Sequence, residues 1–533
     1  MKKFQKAAAV TLSMAMLGAT LVACGGSASS STAASATGEA STAGSKTYTM
    51  FMRSTYADWI KELKWYDEAE ARTGVTVEYV SGPEEFADCY SEVDQRIISN
   101  TLPDAVMTKL SQTNVYGPQG AFMDLAPLIK EYAPNIQKYI DENPDYKALM
   151  ENDKGQIFSL IKATPIFADL IGYRADQLEK AGIDAASIQT VDDFTEALRT
   201  LKATYGADNK NYYPLSGRDS ALRFAAWFGC PSSISSTESN GVYISGHYKD
   251  GSFDIMSPNA YTMMETMKTW YDEGLINPEW VAGTFGEADW EAGQLNGNST
   301  IFYDYYNRAE WFMENGGPEA DPDYQMAVLD FLKDDDGNVM KVTTSTKYND
   351  ETTTAINANC SEETAKTIIQ FIDYFYSEEG MVLANYGVEG ESFEVAADGE
   401  KEFIVDYTTE EAKPAGEKKW SFLSDRLTVC KPVDDEAFFK WNTPLIAEAA
   451  GRCFQEDNMM TSYTLSFGED ASKELSNLVS TVYDAEVAGM TSFINGTREL
   501  NETEWTAFQQ EMVDQGLSRI EEIQLEAYNQ IYG

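Results

Sequence analysis

The 533-residue sequence contains a single histidine, His247. Serine or cysteine catalytic triads and histidine-rich zinc sites would depend on that one residue or could not be assembled, which narrows enzymatic hypotheses mainly to carboxylate chemistry. Basic residues are also scarce, because 40 lysines and arginines face 86 aspartates and glutamates, for a net charge of −46. Long-range repulsion from such a charge disfavours nucleic acids and anionic polymers as partners.

Cysteines are few and scattered, and none of them forms a Cys-x-x-Cys motif. Neither a disulfide framework nor a metal site is indicated, although one bridge, Cys430–Cys453, stays open as an alternative. The sequence also lacks an internal repeat of fixed period. Apart from Cys24, the cysteines are Cys89, Cys230, Cys360, Cys430 and Cys453.

The N-terminus has the features of an export signal. Three lysines precede a predominantly apolar run of 16 residues, 7–22, which is shorter than the ~20 residues of a membrane-spanning helix. The run ends in Leu21-Val-Ala-Cys24-Gly, which resembles the bacterial lipobox, in which the cysteine is lipidated. We expect a signal peptide over 1–23 and a diacylated Cys24 as membrane anchor; an ordinary signal peptide with an incidental cysteine is the alternative.

The composition changes sharply after Cys24. Residues 24–46 consist almost entirely of Gly, Ser, Thr and Ala and predict a flexible linker. The rest is long enough for two domains. Strand-like and helical patterns then alternate over 48–107 and again over 157–303, the order typical of mostly parallel sheets flanked by helices.

Several predicted helices carry starting signals. Thr190–Asp193, Asn501–Glu504 and Ser518–Glu521 predict capping boxes, and Ser257-Pro258 predicts an N-cap followed by proline at the first helical position. In the helix after Ser257, methionine and aromatic residues recur with the helical period, which favours a buried face over a ligand platform. That stripe consists of Met263, Met264, Met267, Trp270 and Tyr271.

Four stretches carry more distinctive motifs. They are Leu102-Pro-Asp-Ala-Val with Gly120-Ala-Phe-Met-Asp-Leu; Asp254 to the Gly-Leu-Ile-Asn-Pro that ends at Pro278; Glu287–Tyr303; and Ile372-Asp-Tyr-Phe-Tyr-Ser-Glu-Glu-Gly with Asn385-Tyr-Gly-Val-Glu-Gly. Together these motifs resemble the extracellular solute-binding proteins of ABC sugar importers, the group that includes maltose-binding proteins. The last pair resembles the long oligosaccharide-type lipoproteins of Gram-positive bacteria.

The resemblance implies a type II periplasmic-binding-protein-like fold of two α/β lobes that close like a hinge over a sugar. The lobes would comprise 47–165 plus about 345–400, and 166–344 plus about 401–533. Crossings between them are expected near 164–170, 340–355 and 390–415. The resemblance further implies a monomeric, non-catalytic protein on the outer face of the cytoplasmic membrane, with an oligosaccharide ligand and the subunits of an ABC importer as partners.

Candidate ligand-binding residues lie in loops that follow predicted strands. Sugar pockets combine aromatic platforms with polar side chains, and open α/β sheets bind ligands at the carboxyl ends of their strands. Core packing is the alternative for Trp227 and Trp311, and pairing with Asp58 is the alternative for Arg53. The candidates are Arg53, Tyr56, Trp59, Gln112, Asn114, Arg218, Trp227, Asp304, Tyr305, Tyr306, Arg308 and Trp311.

Two other functions remain open from the sequence. One is a cell-surface glycoside hydrolase or lyase that uses paired carboxylates, and the other is a peptide-binding receptor. No cofactor is expected. Long members of the resembled family often carry a calcium loop before a Pro-Leu-Ser segment, but 207–216 is short and has too few carboxylates, which argues against calcium. Asp334–Gly337 is the other acidic stretch, and a solvated turn is the expected structure there.

Overall fold

A computed structural model describes most of the chain after the predicted linker. The described residues are 46–61, 63–163, 169–218, 221–228, 244–245, 254–340, 342–343, 347–404, 430–440, 443–453, 459–460 and 462–533. The signal segment, Cys24 and most of the first predicted crossing lie outside them. Among these residues, no helix is long and apolar enough to span a membrane.

The elements alternate along the chain before helices dominate the C-terminus. The strands are β1 Lys46–Arg53, β2 Val75–Gly82, β3 Ala105–Thr108, β4 Leu160–Ala163, β5 Asp169–Arg174, β6 Leu215–Ser216, β7 Ile244–Ser245, β8 Ile301–Tyr305, β9 Met326–Val328, β10 Val342–Thr343, β11 Tyr348–Ile356, β12 Phe393–Val395, β13 Lys401–Phe403, β14 Met459–Met460 and β15 Ser462–Tyr463. The helices are α1 Ser54–Ile60, α2 Lys64–Thr73, α3 Phe86–Ser99, α4 Leu110–Tyr116, α5 Ala126–Tyr132, α6 Pro134–Glu142, α7 Pro144–Met150, α8 Ala175–Lys180, α9 Val191–Tyr205, α10 Pro258–Asp272, α11 Pro278–Val281, α12 Glu287–Leu295, α13 Arg308–Glu314, α14 Gly317–Ala320, α15 Glu362–Tyr374, α16 Glu378–Tyr386, α17 Asp435–Lys440, α18 Pro444–Cys453, α19 Glu469–Ile494, α20 Glu502–Gln515 and α21 Leu517–Tyr532.

The first sheet has the strand order β2-β1-β3-β11-β4. Strand β1 is parallel to β2 along its whole length and also to β3. Its residues alternate between two apolar layers: Tyr48, Met50 and Met52 pack into a large core that includes α15, while Phe51 packs into a smaller cluster on the other face. Both faces of β1 are therefore covered, which explains the apolar run Met50-Phe51-Met52.

The second sheet has the order β6-β8-β5-β9 and lies over a second core built by α9, α10 and α18–α21. Strand β8 is parallel to β6 but antiparallel to β5, and β9 is antiparallel to β5. In the first sheet, β11 is antiparallel to both β3 and β4. The sheets are therefore mixed rather than mostly parallel, because β11 returns from a distant part of the chain instead of following a β-α-β crossover.

Packing confirms the predicted methionine stripe. Met263, Met264, Met267 and Trp270 are all buried in the second core, and Tyr271 is half-buried against it. The helical period of this stripe therefore indicates a core face, as expected.

Cys430 corrects one expectation. It is a free thiol buried in the first core, where its Sγ donates to the Leu160 carbonyl at 3.1 Å. The possible Cys430–Cys453 bridge is therefore wrong. Cys430 also belongs to the core under the first sheet, although its position in sequence follows the predicted lobe boundary near residue 400. The lobe boundaries themselves stay a prediction.

Residues 391–404, within the third predicted crossing, include the hairpin β12–β13. The rings of Phe393 and Phe403 lie 5.6 and 5.4 Å from that of Tyr386 in α16. The remainder of that predicted crossing, from 405 onwards, lies outside the described residues. Whether the chain passes between lobes there stays a prediction.

Most predicted helix starts are confirmed. Thr190 and Asp193 form a capping box, Asn501 Oδ1 accepts from the Glu504 N–H, and Ser257 Oγ accepts from the Asn259 N–H. The capping box at Ser518 is wrong. Gly516 adopts a left-handed conformation (φ 113°) at the end of α20, so α21 begins directly at Leu517 and Ser518 lies inside the helix.

Candidate functional site

The second sheet brings several candidate residues to one edge. Because β6 and β8 are parallel, their carboxyl ends meet there. Arg218 follows β6, Tyr305 ends β8, and Arg308, three positions after Tyr305, begins α13. Helix α12, which precedes β8, adds Glu287 and Glu291. We define the β8 cluster as Arg218, Glu287, Glu291, Asp304, Tyr305, Arg308 and Trp311.

Asp304 is the centre of this cluster. It has no exposed surface, and it accepts hydrogen bonds from Arg218 Nε at 2.8 Å, from Arg218 Nη2 at 3.3 Å and from the Tyr305 backbone N–H at 2.8 Å. Arg308 Nε lies 3.3 Å from its Oδ2. Two guanidinium groups therefore compensate one fully buried carboxylate, which would be strongly destabilising if left without a partner.

Arg308 is surrounded by carboxylates. Its Nη1 donates to Glu291 Oε1 at 3.0 Å, and its Nη2 pairs with Glu287. The guanidinium also lies over the rings of Trp290 and Trp311, 5.3 and 5.2 Å from their centroids. Charge pairing and cation–π contact together hold this side chain in one orientation.

Burial raises the pKa of Glu291, an effect that Asp304 reinforces and the charge of Arg218 opposes. Arg218 itself is buried and lies over the Tyr305 ring, 4.9 Å from its centroid. The cluster thus places fixed charged groups beside the half-buried rings of Tyr305 and Trp311.

Two neighbouring candidates belong to the core instead. Trp227 is buried, and its ring packs 4.6 Å from Phe224 and 5.1 Å from Tyr303. Tyr306 is also buried, with its ring edge toward Phe438 at 6.4 Å. Only Tyr305 of the Tyr305-Tyr306 pair is half-exposed, because side chains alternate at the end of a strand.

A second group of candidates lies at the carboxyl edge of the first sheet. Arg53, at the end of β1, donates from Nε to the Glu84 carbonyl and from Nη2 to Glu84 Oε1 at 3.4 Å. Its guanidinium lies over Phe86 and Tyr56, 4.6 and 5.3 Å from the ring centroids. We call Arg53, Tyr56, Glu84 and Phe86 the β1 cluster.

The β1 cluster corrects one alternative. Asp58 pairs with Lys61 at 3.1 Å, so Arg53 has Glu84 rather than Asp58 as its partner. The hydroxyls of Thr55 and Ser54, and then the charge of Arg53, lower the pKa of Glu84. Trp59 belongs to α1, but its side chain lies outside the described residues.

Gln112 and Asn114 make contacts within the protein. Gln112 is buried; its Nε2 donates to the Tyr90 carbonyl at 2.9 Å and to Asp94 Oδ1 at 2.7 Å, and its Oε1 accepts from Thr108. The amide of Gln112 is therefore already satisfied. Asn114 Nδ2 donates to Ser466 Oγ at 3.1 Å and to the Phe467 carbonyl at 3.3 Å, which connects α4 to the segment before α19.

No group of three or more potential metal ligands is present among the described residues. In the stretch considered for calcium, Asn209 donates to Asn298 Oδ1 at 2.9 Å and accepts from the Asn211 N–H. Asp334 lies in an exposed turn, where its Oδ1 accepts from the backbone N–H groups of Asp336 and Asn338. The expected solvated turn at Asp334 is thus confirmed.

Sequence reasoning missed Glu84, Glu287 and Glu291. The two glutamates of α12 are four residues apart, a spacing that places both carboxylates on one helix face. That spacing, just before a predicted strand ending in polar residues, was a usable signal. Glu84 gave no comparable signal, since many acidic residues in the chain were equally plausible partners for Arg53.

A family model described as bacterial extracellular solute-binding protein matches residues 64–390. Among curated proteins, Lipoprotein LipO of Bacillus subtilis (strain 168) is 24% identical over 311 residues, which cover 56% of this chain and 58% of the relative. The fructooligosaccharide ABC transporter substrate-binding protein FusA of Streptococcus pneumoniae serotype 4 is 28% identical over 145 residues, 25% of this chain and 26% of the relative. The chain thus matches little more than half of one relative and a quarter of the other.

Solved structures resemble a larger share of the chain. The alginate-binding protein AlgQ2, crystallised without calcium ion, has a TM-score of 0.67 at 17% identity, covering 92% of this chain and 99% of that one. The S. pneumoniae FusA structure in complex with kestose also has a TM-score of 0.67, at 20% identity, covering 91% and 99%. This likeness shows the fold, which is two-lobed and of the maltose-binding-protein type.

Proposed function

This chain belongs to the family of bacterial extracellular solute-binding proteins, and we propose that it captures an oligosaccharide for an ABC importer. The observation that carries the proposal is the β8 cluster, in which half-exposed Tyr305 and Trp311 adjoin a rim of fixed charges. Aromatic rings pack against the C–H faces of sugars, and fixed polar groups hydrogen-bond to their hydroxyls. FusA, which is named as a fructooligosaccharide-binding protein, supports a carbohydrate ligand.

The proposed ligand-binding residues are fewer than the sequence candidates. We retain Arg53, Tyr305 and Trp311 as ligand-contacting residues, because these side chains are half-buried at the carboxyl edge of a sheet. Tyr56, Trp227 and Tyr306 are left out because their rings are buried, and Gln112 because its amide is satisfied within the protein. Arg218, Asp304 and Arg308 are buried and paired with one another, and we propose that they position the β8 cluster.

Titration calorimetry of the intact chain against gluco-, fructo-, galacto- and mannooligosaccharides tests the proposal. We expect at least one to bind, and Trp311→Ala to weaken that binding at least tenfold because a stacking surface is lost. Tyr261→Ala is the matched control, since this half-buried ring lies against Trp505 in α20, 5.9 Å between centroids. Binding of peptides but of no sugar would overturn the proposal.

The carboxylates of the β8 cluster bear on the enzymatic alternative. Asp304 has no exposed surface, and Glu287 and Glu291 both pair with the same guanidinium, that of Arg308, whereas glycoside hydrolysis needs two carboxyl groups that flank the scissile bond. We therefore propose that the protein is not an enzyme. Chromatography of the bound sugar after overnight incubation would reveal cleavage and refute this.

We also propose that a diacylated Cys24 anchors the protein at the outer face of the cytoplasmic membrane. The LGAT-LVAC sequence before the linker supports this, as does the lipoprotein name of the relative LipO. Cells fed an alkyne fatty acid should label the native chain but not Cys24→Ser. Equal labelling of both proteins would exclude lipidation at this residue.

A further inference from the structure

The β8 cluster contains more carboxylates than guanidinium groups. Asp304, Glu287 and Glu291 are paired with Arg218 and Arg308, which leaves a formal charge of −1 when all five groups are ionised. In the β1 cluster, Arg53 and Glu84 balance each other. Among the described residues, the side chains of these two clusters therefore carry no excess positive charge.

The geometry of Arg308 is the central observation. Each of its three nitrogens faces a different carboxylate: Nε lies 3.3 Å from Asp304, Nη1 lies 3.0 Å from Glu291, and Nη2 pairs with Glu287. The guanidinium also lies over the rings of Trp290 and Trp311. An arginine that binds the carboxylate of a ligand usually offers two parallel N–H groups. Here each of the three nitrogens already faces a carboxylate of the protein, so the carboxylate of a ligand would compete with them.

Arg218 is similarly engaged. It is 4% exposed, donates two hydrogen bonds to Asp304, and has Glu287 Oε1 3.9 Å from its Nε. A uronate brought to this edge would meet the carboxylates of Glu287 and Glu291, whereas a sugar hydroxyl can donate to them. Glu287 is well placed for such a bond because its side chain is 48% exposed; ionised carboxylates act as acceptors only.

We propose that the β8 cluster selects neutral oligosaccharides over acidic ones, with Glu287 and Glu291 as the specificity-determining residues. This inference rests on the proposed function and adds the class of sugar. The two glutamates engage Arg308, as Asp304 engages Arg218, and so oppose the binding of an anion by either guanidinium; they present acceptors to hydroxyl groups instead.

Pairs of ligands that differ only in charge test the inference. The intact chain is titrated with galactotriose against trigalacturonate and with mannotriose against trimannuronate, alongside neutral maltotriose and kestose. We expect a neutral sugar to bind, and each acidic sugar to bind at least tenfold more weakly than its neutral counterpart. Equal or tighter binding of a uronide overturns the selectivity but leaves the carbohydrate proposal intact, whereas binding of no sugar overturns the proposed function and the inference with it.

Charge removal gives the second test. In Glu287→Gln and Glu291→Gln the ratio of uronide to neutral-sugar affinity should rise at least fivefold, because Arg308 is partly released. Glu319→Gln, an exposed residue of α14, removes the same charge and is the control. Thermal melting confirms that each variant is folded. An unchanged ratio in both site variants would show that these glutamates do not determine selectivity, and an equal rise in Glu319→Gln would show that bulk charge does.

Discussion

The clusters at β1 and β8 are both centred on arginine, but their charges are compensated in different surroundings. In the β1 cluster, one guanidinium meets a glutamate whose side chain is 59% exposed. In the β8 cluster, two guanidinium groups surround an aspartate with no exposed surface. The first pair is screened by water, whereas the second depends on full compensation inside the protein. Similar residue types at similar strand ends can thus have very different energetic importance.

Removal of the central carboxylate should expose this difference most clearly. Asp304→Asn keeps the shape but removes the buried negative charge that faces Arg218 and Arg308, and we expect a loss of about 3–5 kcal/mol in the free energy of unfolding. Glu84→Gln in the β1 cluster should cost no more than about 1 kcal/mol. Urea denaturation followed by tryptophan fluorescence measures both. Equal costs would mean that burial does not distinguish the clusters.

Replacement of arginine by lysine tests the role of the planar fork. Arg308→Lys keeps the charge but cannot face three carboxylates, so we expect a loss of about 1–3 kcal/mol. Arg53→Lys keeps a positive charge beside the exposed carboxylate of Glu84 and should cost less than about 1 kcal/mol. The same denaturation assay measures both variants. An Arg53→Lys variant as destabilised as Arg308→Lys would show that stacking on Phe86 and Tyr56, rather than ion pairing, dominates.

Acid should affect the two clusters with opposite signs. Because the folded pKa of Glu84 is lowered, its stabilising contribution is present above about pH 4.5 and is lost as the pH falls through the lowered value. Because the folded pKa of Glu291 is raised, its unfavourable contribution is relieved as the pH falls through that raised value toward 4.5.

Unfolding measured from pH 7 to 3 therefore separates the two glutamates. Relative to the unmodified chain, Glu291→Gln should lose stability as the pH falls toward 4.5, whereas Glu84→Gln should gain stability below it. These are the smallest effects expected, since each involves the titration of one group. Parallel curves for both variants would contradict the opposite pKa shifts.

Local features predicted from sequence are confirmed where the determining interactions are close in the chain. Thr190 and Asp193 cap a helix three residues apart, and the stripe that begins at Met263 is buried because its period fits one helix face. The helical spacing of Ile60, Leu63 and Tyr66 predicts one helix over 57–72, but Leu63 is extended and separates α1 from α2. Ile60, Leu63 and Tyr66 are nevertheless all buried, as their spacing indicated.

The candidate site was only partly predictable. Arg218, Tyr305 and Arg308 lie together, as their places after predicted strands indicated, because parallel strands share a carboxyl edge. Sequence could not show that Gln112 would be satisfied by Asp94 or that Trp227 would pack on Tyr303, since those contacts join residues 18 and 76 positions apart.

The sequence by itself determined the acidic character, the alternation of strands and helices, the family resemblance and the strand ends where polar residues collect. These depend on composition and on short-range patterns. Only the tertiary structure decided which carboxylate meets which arginine, because an ion pair forms wherever the fold brings opposite charges within a few ångströms, at any separation in the chain. That pairing places a carboxylate against each nitrogen of Arg308. For this reason we propose a site for neutral sugars where the sequence alone would also allow an anion receptor.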